Sequence, residues 1–336
     1  MLNSLAIGTV TIGAPVFAAP LSGVTDLPFR RALKRAGAPV VVSEMVASAE
    51  LARGAKDAVR RSVVDAEGGP IIIQLAGRDP YWMGEGARLA EGLGADIIDI
   101  NMGCPARSVV GQACGSALMT DLDLALSIIE ATIAATRRPV TLKMRLGWDD
   151  KSRNAPELAR RAEAAGIALI TVHGRTRCQF YDGKADWSAV SLVKQAVNLP
   201  VIVNGDIVDE ASARAALAQS GADGVMVGRG LYGRPWFPAA LGKALLTGIP
   251  IVAPPPSDVL EALLRLYHDN LDFHGLRHGI KIARKHLAWT IDVTDLPMGD
   301  REKRDLRASI ARMDDPANVE AALIAAFSIA PLEMAA

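Results

Sequence analysis

Cysteine and net charge are scarce in this 336-residue chain, and each shortage argues against a class of protein. The three cysteines, Cys104, Cys114 and Cys178, show no CxxC spacing and leave an odd thiol, which argues against a disulfide framework or a zinc site and is typical of a reducing cytoplasm. Lys plus Arg equals Asp plus Glu at 37 each. A formal net charge of zero argues against sequence-blind binding of nucleic acid by the whole surface, whereas a local basic patch stays open.

Long hydrophobic runs are also absent. Residues 5–20 are apolar and contain Ala18 and Ala19, as a signal peptide does, but no Lys or Arg precedes them, and Gly13 and Pro15 interrupt the run. No uninterrupted apolar stretch reaches the length needed to span a membrane. We therefore expect a cytoplasmic protein with no membrane partner.

Short β-branched runs alternate with longer, Ala-rich amphipathic segments along most of the chain. The runs are near-continuously apolar, as parallel strands covered by helices are. They lie at 16–19, 40–43, 71–74, 97–100, 140–144, 169–173, 201–204 and 225–227. Eight strand-helix units in about 240 residues predict an α/β fold of the (β/α)8 TIM-barrel type. The alternative, an open doubly wound sheet, lacks its glycine fingerprint after the first strand.

The pattern changes after residue 248. Pro250 and the prolines at 254–256 form a stiff connector with little helix potential, which we assign to residues 249–256. From residue 257 to 336 the pattern is helical and contains no strand. The sequence therefore predicts a barrel domain over 1–248, a Pro-rich linker and a small all-helical C-terminal domain.

Most predicted strands end in a hydrogen-bonding or charged side chain. Taken singly, each could cap the following helix. A purely structural barrel, however, has no need of so many, because burying polar groups without partners costs free energy. In (β/α)8 barrels the chemistry lies at these C-terminal strand ends. The residues at the ends are Pro20, Glu44, Gln74, Asn101, Lys143, Arg145, His173, Asn204, Gly228 and Arg229.

Lys143 and Arg145 lie two residues apart on one predicted strand, so both side chains face the barrel axis if one does. Two neighbouring cations repel each other, and an anionic or electron-rich partner is therefore expected. The alternative is that Glu44 or Asp99 neutralises them in an internal ion pair.

Glycines and an arginine follow the last two strands, in the segments 204–206 and 228–229. In these barrels that is a common phosphate site, built from backbone N–H groups that glycine lets a ligand approach closely. The alternative is turn chemistry alone. A phosphate site with Gln74, Lys143 and His173 around the mouth suits FMN. A cation near the N1–C2 edge of the ring would stabilise the reduced flavin, and Lys143 is the candidate.

Cys104 follows the fourth strand, on which Asp99 and Asn101 point to one face. A free thiol has a pKa of roughly 8.5, so it is mostly protonated at neutral pH and suits a proton donor better than a nucleophile. The alternative is a small buried hydrophobe beside a Gly–Pro turn. That alternative is our interpretation of Cys114 and Cys178.

Several segments are sequence motifs specific enough to indicate a protein family. They are APLSGVTDLPFR at 19–30, NMGCPA at 101–106, GSAL at 115–118, VHGRT at 172–176, NGDI at 204–207, GR at 228–229 and ARKH at 283–286. In these segments the chain resembles the tRNA-dihydrouridine synthases, most nearly their bacterial B-type branch. The resemblance implies reduction of the C5–C6 double bond of particular uridines in tRNA, with FMN as cofactor and NADPH as reductant.

By position, the resemblance also implies residue roles. Hydride would pass from flavin N5 to uracil C6, and Cys104 would protonate C5 from the opposite face. The uridine would have to leave the tRNA fold, as in base flipping. Asn101 and Arg145 would line the space between flavin and uracil. The FMN ligands would be Pro20, Leu21, Ser22, Gln74, Lys143, His173, Asn204, Gly205, Asp206, Gly228 and Arg229.

A basic run without acids in the predicted tail consists of Arg277, Lys281, Arg284 and Lys285. Spacings of three and four place several of them on one helix face. A solvated face is the usual explanation of a charge run, but the resemblance favours contacts with tRNA phosphates. The basic cluster at 30–35 raises the same two alternatives.

The loop after Cys104 departs from the family, because Ser108 stands where relatives often carry a lysine and Cys114 is not a usual residue there. Three other functions were weighed against the synthase. An FMN-dependent dehydrogenase of a free pyrimidine would not need the basic tail, and a non-catalytic RNA-binding protein would not need Lys143 and Cys104. A Schiff-base aldolase using Lys143 would carry no flavin. We expect a monomer.

Overall fold

The computed structural model describes residues 3–65, 68–111 and 113–328. The chain divides into two compact units. Unit one comprises Met1–Gly230 and Trp236–Ile251, and unit two comprises Leu231–Pro235 and Val252–Ala336.

The strands are β1 (Leu5–Ile7), β2 (Val10–Ile12), β3 (Val16–Ala18), β4 (Val40–Ala47), β5 (Ile71–Ala76), β6 (Ile97–Met102), β7 (Val140–Arg145), β8 (Leu169–His173), β9 (Val201–Asn204) and β10 (Gly224–Val227). The helices of unit one are α1 (Leu27–Arg35), α2 (Ser48–Ala52), α3 (Lys56–Ser62), α4 (Pro80–Gly92), α5 (Arg107–Val110), α6 (Leu122–Ala134), α7 (Ala155–Ala165), α8 (Trp187–Ala196), α9 (Glu210–Ser220) and α10 (Phe237–Thr247). Unit two contributes α11 (Pro256–His274), α12 (Leu276–Val293), α13 (Asp300–Ile310) and α14 (Pro316–Phe327). Short 3-10 turns lie at Gly115–Thr120 and Arg229–Leu231.

Unit one is a closed barrel in which β3 to β10 follow one another in chain order, and each neighbouring pair is parallel. The (β/α)8 prediction is therefore confirmed, and every predicted apolar run forms a barrel strand. β4, β5, β6 and β7 extend further toward their C-terminal ends than the runs did. The extensions of β4, β6 and β7 carry the polar or charged residues Glu44, Asn101 and Arg145, whereas that of β5 adds the apolar Leu75 and Ala76.

The strands join helices whose ends carry ordinary caps. Asp121 accepts a hydrogen bond from the Leu124 N–H at the start of α6, and Asp209 caps α9 through Ser212. Gly166, after α7, has a φ of 104°, a left-handed conformation that glycine adopts without steric cost. Asp121 and Asp209 fix where α6 and α9 start, and so they fix where two loops at the barrel mouth end, whereas Gly166 ends α7 at the opposite end of the barrel.

A two-stranded antiparallel hairpin precedes the barrel, and the sequence did not predict it. Ile7 of β1 and Ile12 of β2 are at most 2% exposed and belong to one apolar cluster with interior barrel residues. The barrel members of this cluster are Phe17, Ala19, Val40, Val42, Ile72, Ile97, Leu169, Ile202 and Met226. Apart from Ala19, which directly follows β3, they come from the strands, mostly from their first residues. The hairpin therefore closes the N-terminal end of the barrel interior.

Unit two is helical, and its own core includes Tyr267 of α11, Leu287 of α12, Ile310 of α13 and Leu323 of α14. The segment 231–235 belongs to it although α10, which follows, belongs to the barrel unit. The Tyr232 ring stacks on the Trp289 ring with centroids 3.9 Å apart. Within the described residues, no helix is both long enough and apolar enough to cross a membrane.

Candidate active site

Polar side chains fill the C-terminal half of the barrel interior, directly after the apolar cluster. Because side chains alternate along a strand, the residues two positions beyond the apolar ones also point inward. The strand register pairs Gln74 with Asp99, Asn101 with Lys143, and His173 with Asn204. Sequence reasoning had selected most of the set, which consists of Gln74, Asp99, Asn101, Thr141, Lys143, Thr171, His173 and Asn204.

Three of these side chains form a hydrogen-bonded chain. Gln74 Nε2 donates to Asp99 Oδ2 at 2.6 Å, and Asn101 Nδ2 donates to Gln74 Oε1 at 2.7 Å. Asn101 Oδ1 in turn accepts the backbone N–H groups of Gly103 and Cys104, at 3.2 and 3.0 Å. The chain therefore connects the middle of the barrel interior to the start of the loop after β6.

Asp99 does not serve as a counter-ion bonded to the cations of β7, the alternative left open by the sequence. Its two carboxylate oxygens accept hydrogen bonds from Gln74 and from the Thr141 hydroxyl, the latter at 2.6 Å. Burial raises the pKa of Asp99 to about 6, against the opposing effect of these two bonds and of the Lys143 charge. Glu44 is engaged elsewhere, with the Gly23 N–H at 2.5 Å and with Arg61 at 3.9 Å.

The Lys143 ammonium group donates to Asn204 Oδ1 at 3.1 Å, and Asn204 is held by its own bond to the Met226 carbonyl at 2.8 Å. Lys143 is half-buried. Burial, and then the nearby Arg145, lowers the pKa of Lys143 to about 8. The residue is therefore still mostly cationic at neutral pH and is held toward β9.

Arg145 is 1% exposed and binds backbone rather than facing open space. Its Nε donates to the Gly103 carbonyl, and its Nη1 donates to the carbonyls of Thr176 and Phe180, all at 2.8 Å. Burial lowers its pKa to about 10, so it stays a cation at neutral pH. Its guanidinium thus joins the loop after β6 to the loop after β8.

His173 lies beside these cations at the end of β8. Burial, with Arg145 and Lys143 next in effect, holds the pKa of His173 well below its usual value of 6.5. The ring is consequently neutral at physiological pH. The position of the His173 ring also explains why residue 205 is a glycine, because a Cβ there would lie 2.7 Å from His173 Cδ2. The φ of Gly205, 115°, likewise favours glycine.

The ends of β9 and β10 bring Gly205, Asp206, Gly228 and Arg229 together. Among the described residues, the backbone N–H groups of Gly205, Asp206 and Gly228 donate to no protein acceptor. A Cβ at Gly228 would meet no atom within 4 Å, so there is space beside it. The Asp206 carboxylate accepts from Arg175 at 2.6 Å and from Arg229 at 3.1 Å. Unused N–H donors beside an arginine are what an anionic group requires.

Cys104 is half-buried at the start of the loop after β6. Its carbonyl accepts from the N–H and the hydroxyl of Ser116, at 3.1 and 2.9 Å, which closes the loop on itself. Gly115 makes this closure possible, because a Cβ there would lie 2.8 Å from the Cys104 oxygen. The thiol is near enough to affect the titration of both Lys143 and Arg145. Cys104 therefore lies near Lys143 and Arg145.

The remaining predicted cofactor residues follow β3. Pro20 and Leu21 are half-buried and Ser22 is exposed, and the Leu21 N–H donates to Thr25 Oγ1 at 2.9 Å. Sequence reasoning missed Thr141, Thr171, Arg175 and Tyr181. Thr141 and Arg175 lie two residues from selected positions on the same strand face or its continuation, so the period-two rule could have found them. Tyr181 is 54% exposed, with Arg145 and Arg229 both near its ring, and no local signal marks it.

The predicted tRNA-binding residues lie on α12 in unit two. Arg277 and Lys281 are exposed, and Arg284 and Lys285 are half-buried. Arg284 is paired with Asp314 at 2.9 Å and donates to the Met313 carbonyl. The cluster at 30–35 is largely built into unit one, where Arg30 is buried against two carbonyls and Arg31 pairs with Asp65.

Comparison with known proteins gives a consistent result. A family model described as Dihydrouridine synthase (Dus) matches residues 17–329. The chain is 48% identical over 328 residues to the probable tRNA-dihydrouridine synthase of Rhodobacter capsulatus, covering 97% of this chain and 98% of that protein. It is 41% identical over 314 residues to tRNA-dihydrouridine synthase B of Pseudomonas aeruginosa, covering 94% and 93%.

Solved structures share the fold at low sequence identity. The 6-hydroxypseudooxynicotine amine oxidase of Pseudomonas geniculata aligns with a TM-score of 0.57 at 13% identity, over 82% of this chain and 60% of that one. A 2-naphthoyl-CoA reductase aligns with a TM-score of 0.56 at 14% identity, over 74% and 52%. The chain thus spans little more than half of each, and the likeness is one of fold.

Proposed function

This chain belongs to the dihydrouridine synthase family and is an oxidoreductase, and from that premise we propose that it reduces the C5–C6 double bond of particular uridines in tRNA. FMN is the proposed cofactor and NADPH the proposed reductant. The names of the relatives support tRNA as the substrate. The observation that carries the proposal is the convergence of a half-buried lysine, unused N–H donors and a half-buried thiol at one barrel mouth.

The donor set fits a phosphorylated flavin. The N–H groups of Gly205, Asp206 and Gly228 would hold the phosphate, because no protein group among the described residues accepts a hydrogen bond from them. Arg229, which already donates to Asp206, would add a positive charge beside them. Lys143 would hold the N1–C2 edge of the ring, where its positive charge stabilises the reduced form. Gln74, His173 and Asn204 would complete the ring site, and the segment Pro20–Ser22 would border it.

When bound, the flavin supplies the hydride that is added to C6 of the uracil. The chain supplies the other half of the reduction, because the Cys104 thiol gives its proton to C5 and the thiolate is reprotonated from solvent. Asn101 would orient the uracil ring from the base of the loop that carries Cys104.

The RNA itself would be held by charge. Arg277 and Lys281 of α12 are exposed and suited to phosphates, whereas Arg284 already has a carboxylate partner. We assign the barrel domain to catalysis and the helical domain to tRNA binding. We also propose a cytoplasmic monomer, consistent with three free cysteines, and size-exclusion chromatography would test the monomer.

The test uses purified protein, unmodified tRNA transcript and NADPH, with dihydrouridine measured by mass spectrometry of nucleosides. We expect a yellow protein that forms dihydrouridine. Cys104→Ala should keep its FMN and lose activity by about 10²- to 10⁴-fold, the usual contribution of a positioned proton donor. Cys178→Ser, a change at an exposed thiol, is the matched control and should stay fully active.

Three results would contradict the proposal. A colourless wild-type protein would exclude the flavin, and full activity in Cys104→Ala would exclude its proton-donor role. Faster reduction of free uracil than of tRNA would favour a pyrimidine dehydrogenase instead. Mapping dihydrouridine in tRNA from a strain lacking this protein would then identify the positions that it modifies.

A further inference from the structure

We propose that Asp99 is a positioning residue for Cys104, acting through Gln74 and Asn101. Asp99 has no assigned role in the chemistry, yet it is a carboxyl group 5% exposed in the middle of a barrel. Burying such a group costs free energy that a structural position would not require. The proposal rests on the proposed function only in taking Cys104 as the proton donor.

The physical link is a continuous chain of short hydrogen bonds. It runs from Asp99 to the Gln74 amide and then to the Asn101 amide, over distances of 2.6 and 2.7 Å. Its last bond joins Asn101 Oδ1 to the Cys104 N–H at 3.0 Å. Gln74 and Asn101 are 1% and 7% exposed, so water does not compete effectively for these bonds.

The direction of every bond in this chain is fixed from both ends. At the loop end, the N–H groups of Gly103 and Cys104 can only donate, so Asn101 must present its oxygen there and its NH₂ toward Gln74. Gln74 must then present its own oxygen to Asn101 and its NH₂ to the next group. That group has to be an acceptor, and an ionised carboxylate is an acceptor at both oxygens.

Removing the acceptor at position 99 should therefore disturb more than one bond. With nothing to accept from its NH₂, the Gln74 amide loses one of the two bonds that fix it, and its oxygen is held less firmly against the Asn101 NH₂. As a result, the hydrogen bonds from the Gly103 and Cys104 N–H groups to Asn101 Oδ1 weaken. The Thr141 hydroxyl donates to the other carboxylate oxygen of Asp99, at 2.6 Å, and this bond is not part of the chain that reaches Cys104. Thr141 is thus a matched control for the loss of one buried bond.

The test measures amide hydrogen exchange at Gly103 and Cys104 in purified protein with the cofactor it carries. Asp99→Leu should speed exchange at these two amides at least tenfold. Asp99→Asn should leave exchange within about threefold of the wild type, because the new amide keeps an oxygen for Gln74 while the Thr141 hydroxyl reverses to accept from its NH₂. Thr141→Val should also leave these amides unchanged.

Turnover should follow the same order. Asp99→Leu should lower kcat by about 10- to 100-fold and leave KM for tRNA within about threefold, because a misplaced proton donor affects the chemical step more than binding. Asp99→Asn should recover most of kcat. Rescue by the conservative variant is a result that a general loss of packing would not give.

Unchanged exchange in Asp99→Leu, or equal acceleration in Thr141→Val, would overturn the proposal. Should Asp99→Leu fail to fold, Asp99→Ala makes the same test without added bulk, and failure of both to fold would mark Asp99 as structural. The exchange readout does not depend on tRNA. If exchange responds as expected while the wild type forms no dihydrouridine, the positioning stands and the proposed function falls.

Discussion

The two ends of the barrel interior differ in what their buried side chains contribute. At the N-terminal end, Ile7 and Ile12 of the hairpin pack on apolar strand residues, and this burial stabilises the fold. At the C-terminal end, Asp99 and Lys143 have pKa values shifted to about 6 and about 8, with burial the first cause of each. Burial therefore works against the charged form of each group. The N-terminal end of the barrel therefore stabilises the fold, whereas the charged groups that form the site at the C-terminal end reduce its stability.

The sharpest way to test this difference is to remove the charge of Lys143. Lys143→Met should lower dihydrouridine formation by at least about 100-fold, since the flavin would lose its cationic partner. The free energy of unfolding of the flavin-free protein should not fall, because a buried charge is exchanged for an apolar chain of similar length. Urea unfolding and a dihydrouridine assay measure the two effects. A large loss of stability would show that Lys143 helps to hold the fold.

A substitution in the hairpin should have the opposite effect, a loss of stability without a loss of function. Ile12→Ala should lower the free energy of unfolding by about 2–5 kcal/mol, since it removes buried methyl groups and leaves a cavity. Below the unfolding temperature, KM and flavin content should stay at wild-type values. Exposed Val252→Ala, at an 82% exposed side chain, is the control that should change neither. Loss of flavin from folded Ile12→Ala protein would mean that the two ends are not independent.

Stability against pH should show the cost at Asp99. Its pKa is raised from 3.8 to about 6 on folding, so the native state binds more protons in that window, and this group's contribution to stability falls as pH rises through it. The full loss above pH 6 is roughly 3 kcal/mol, because each tenfold change in proton affinity corresponds to about 1.4 kcal/mol. Measured from pH 4 to 7, Asp99→Asn should gain stability relative to the wild type as pH rises. A parallel pH profile for the two proteins would contradict this expectation.

The smallest effect is expected outside the barrel. Arg277→Glu with Lys281→Glu should weaken tRNA binding by about tenfold and make it less sensitive to salt, while flavin content and stability stay unchanged. Arg301→Glu with Arg304→Glu, which reverses the same charge on α13, is the control. Filter binding at two salt concentrations measures the difference. Equal losses in both pairs would mean that only total charge matters.

The sequence alone was sufficient for the barrel because each strand is a local β-branched run. The hairpin was missed because its two strands are only three residues each, and their pairing depends on the barrel end that they cover. The site was predicted as a set of residues but not as a set of bonds. The link from Gln74 to Asp99, and that from Lys143 to Asn204, depend on cross-strand register, which local pattern does not encode. The assignment of segment 231–235 to unit two was also missed, because it depends on contacts between residues far apart in sequence, such as Tyr232 and Trp289.

Arg145 has a consequence for how this enzyme could diversify. One guanidinium holds carbonyls from two loops that are far apart in sequence, Gly103 on one side and Thr176 and Phe180 on the other. An insertion or deletion in either segment would pull the other out of place, so the two should accept length changes only together. A change in the uridine position that is modified would therefore have to come from residues outside these two loops, while the contacts of Arg145 stay the same.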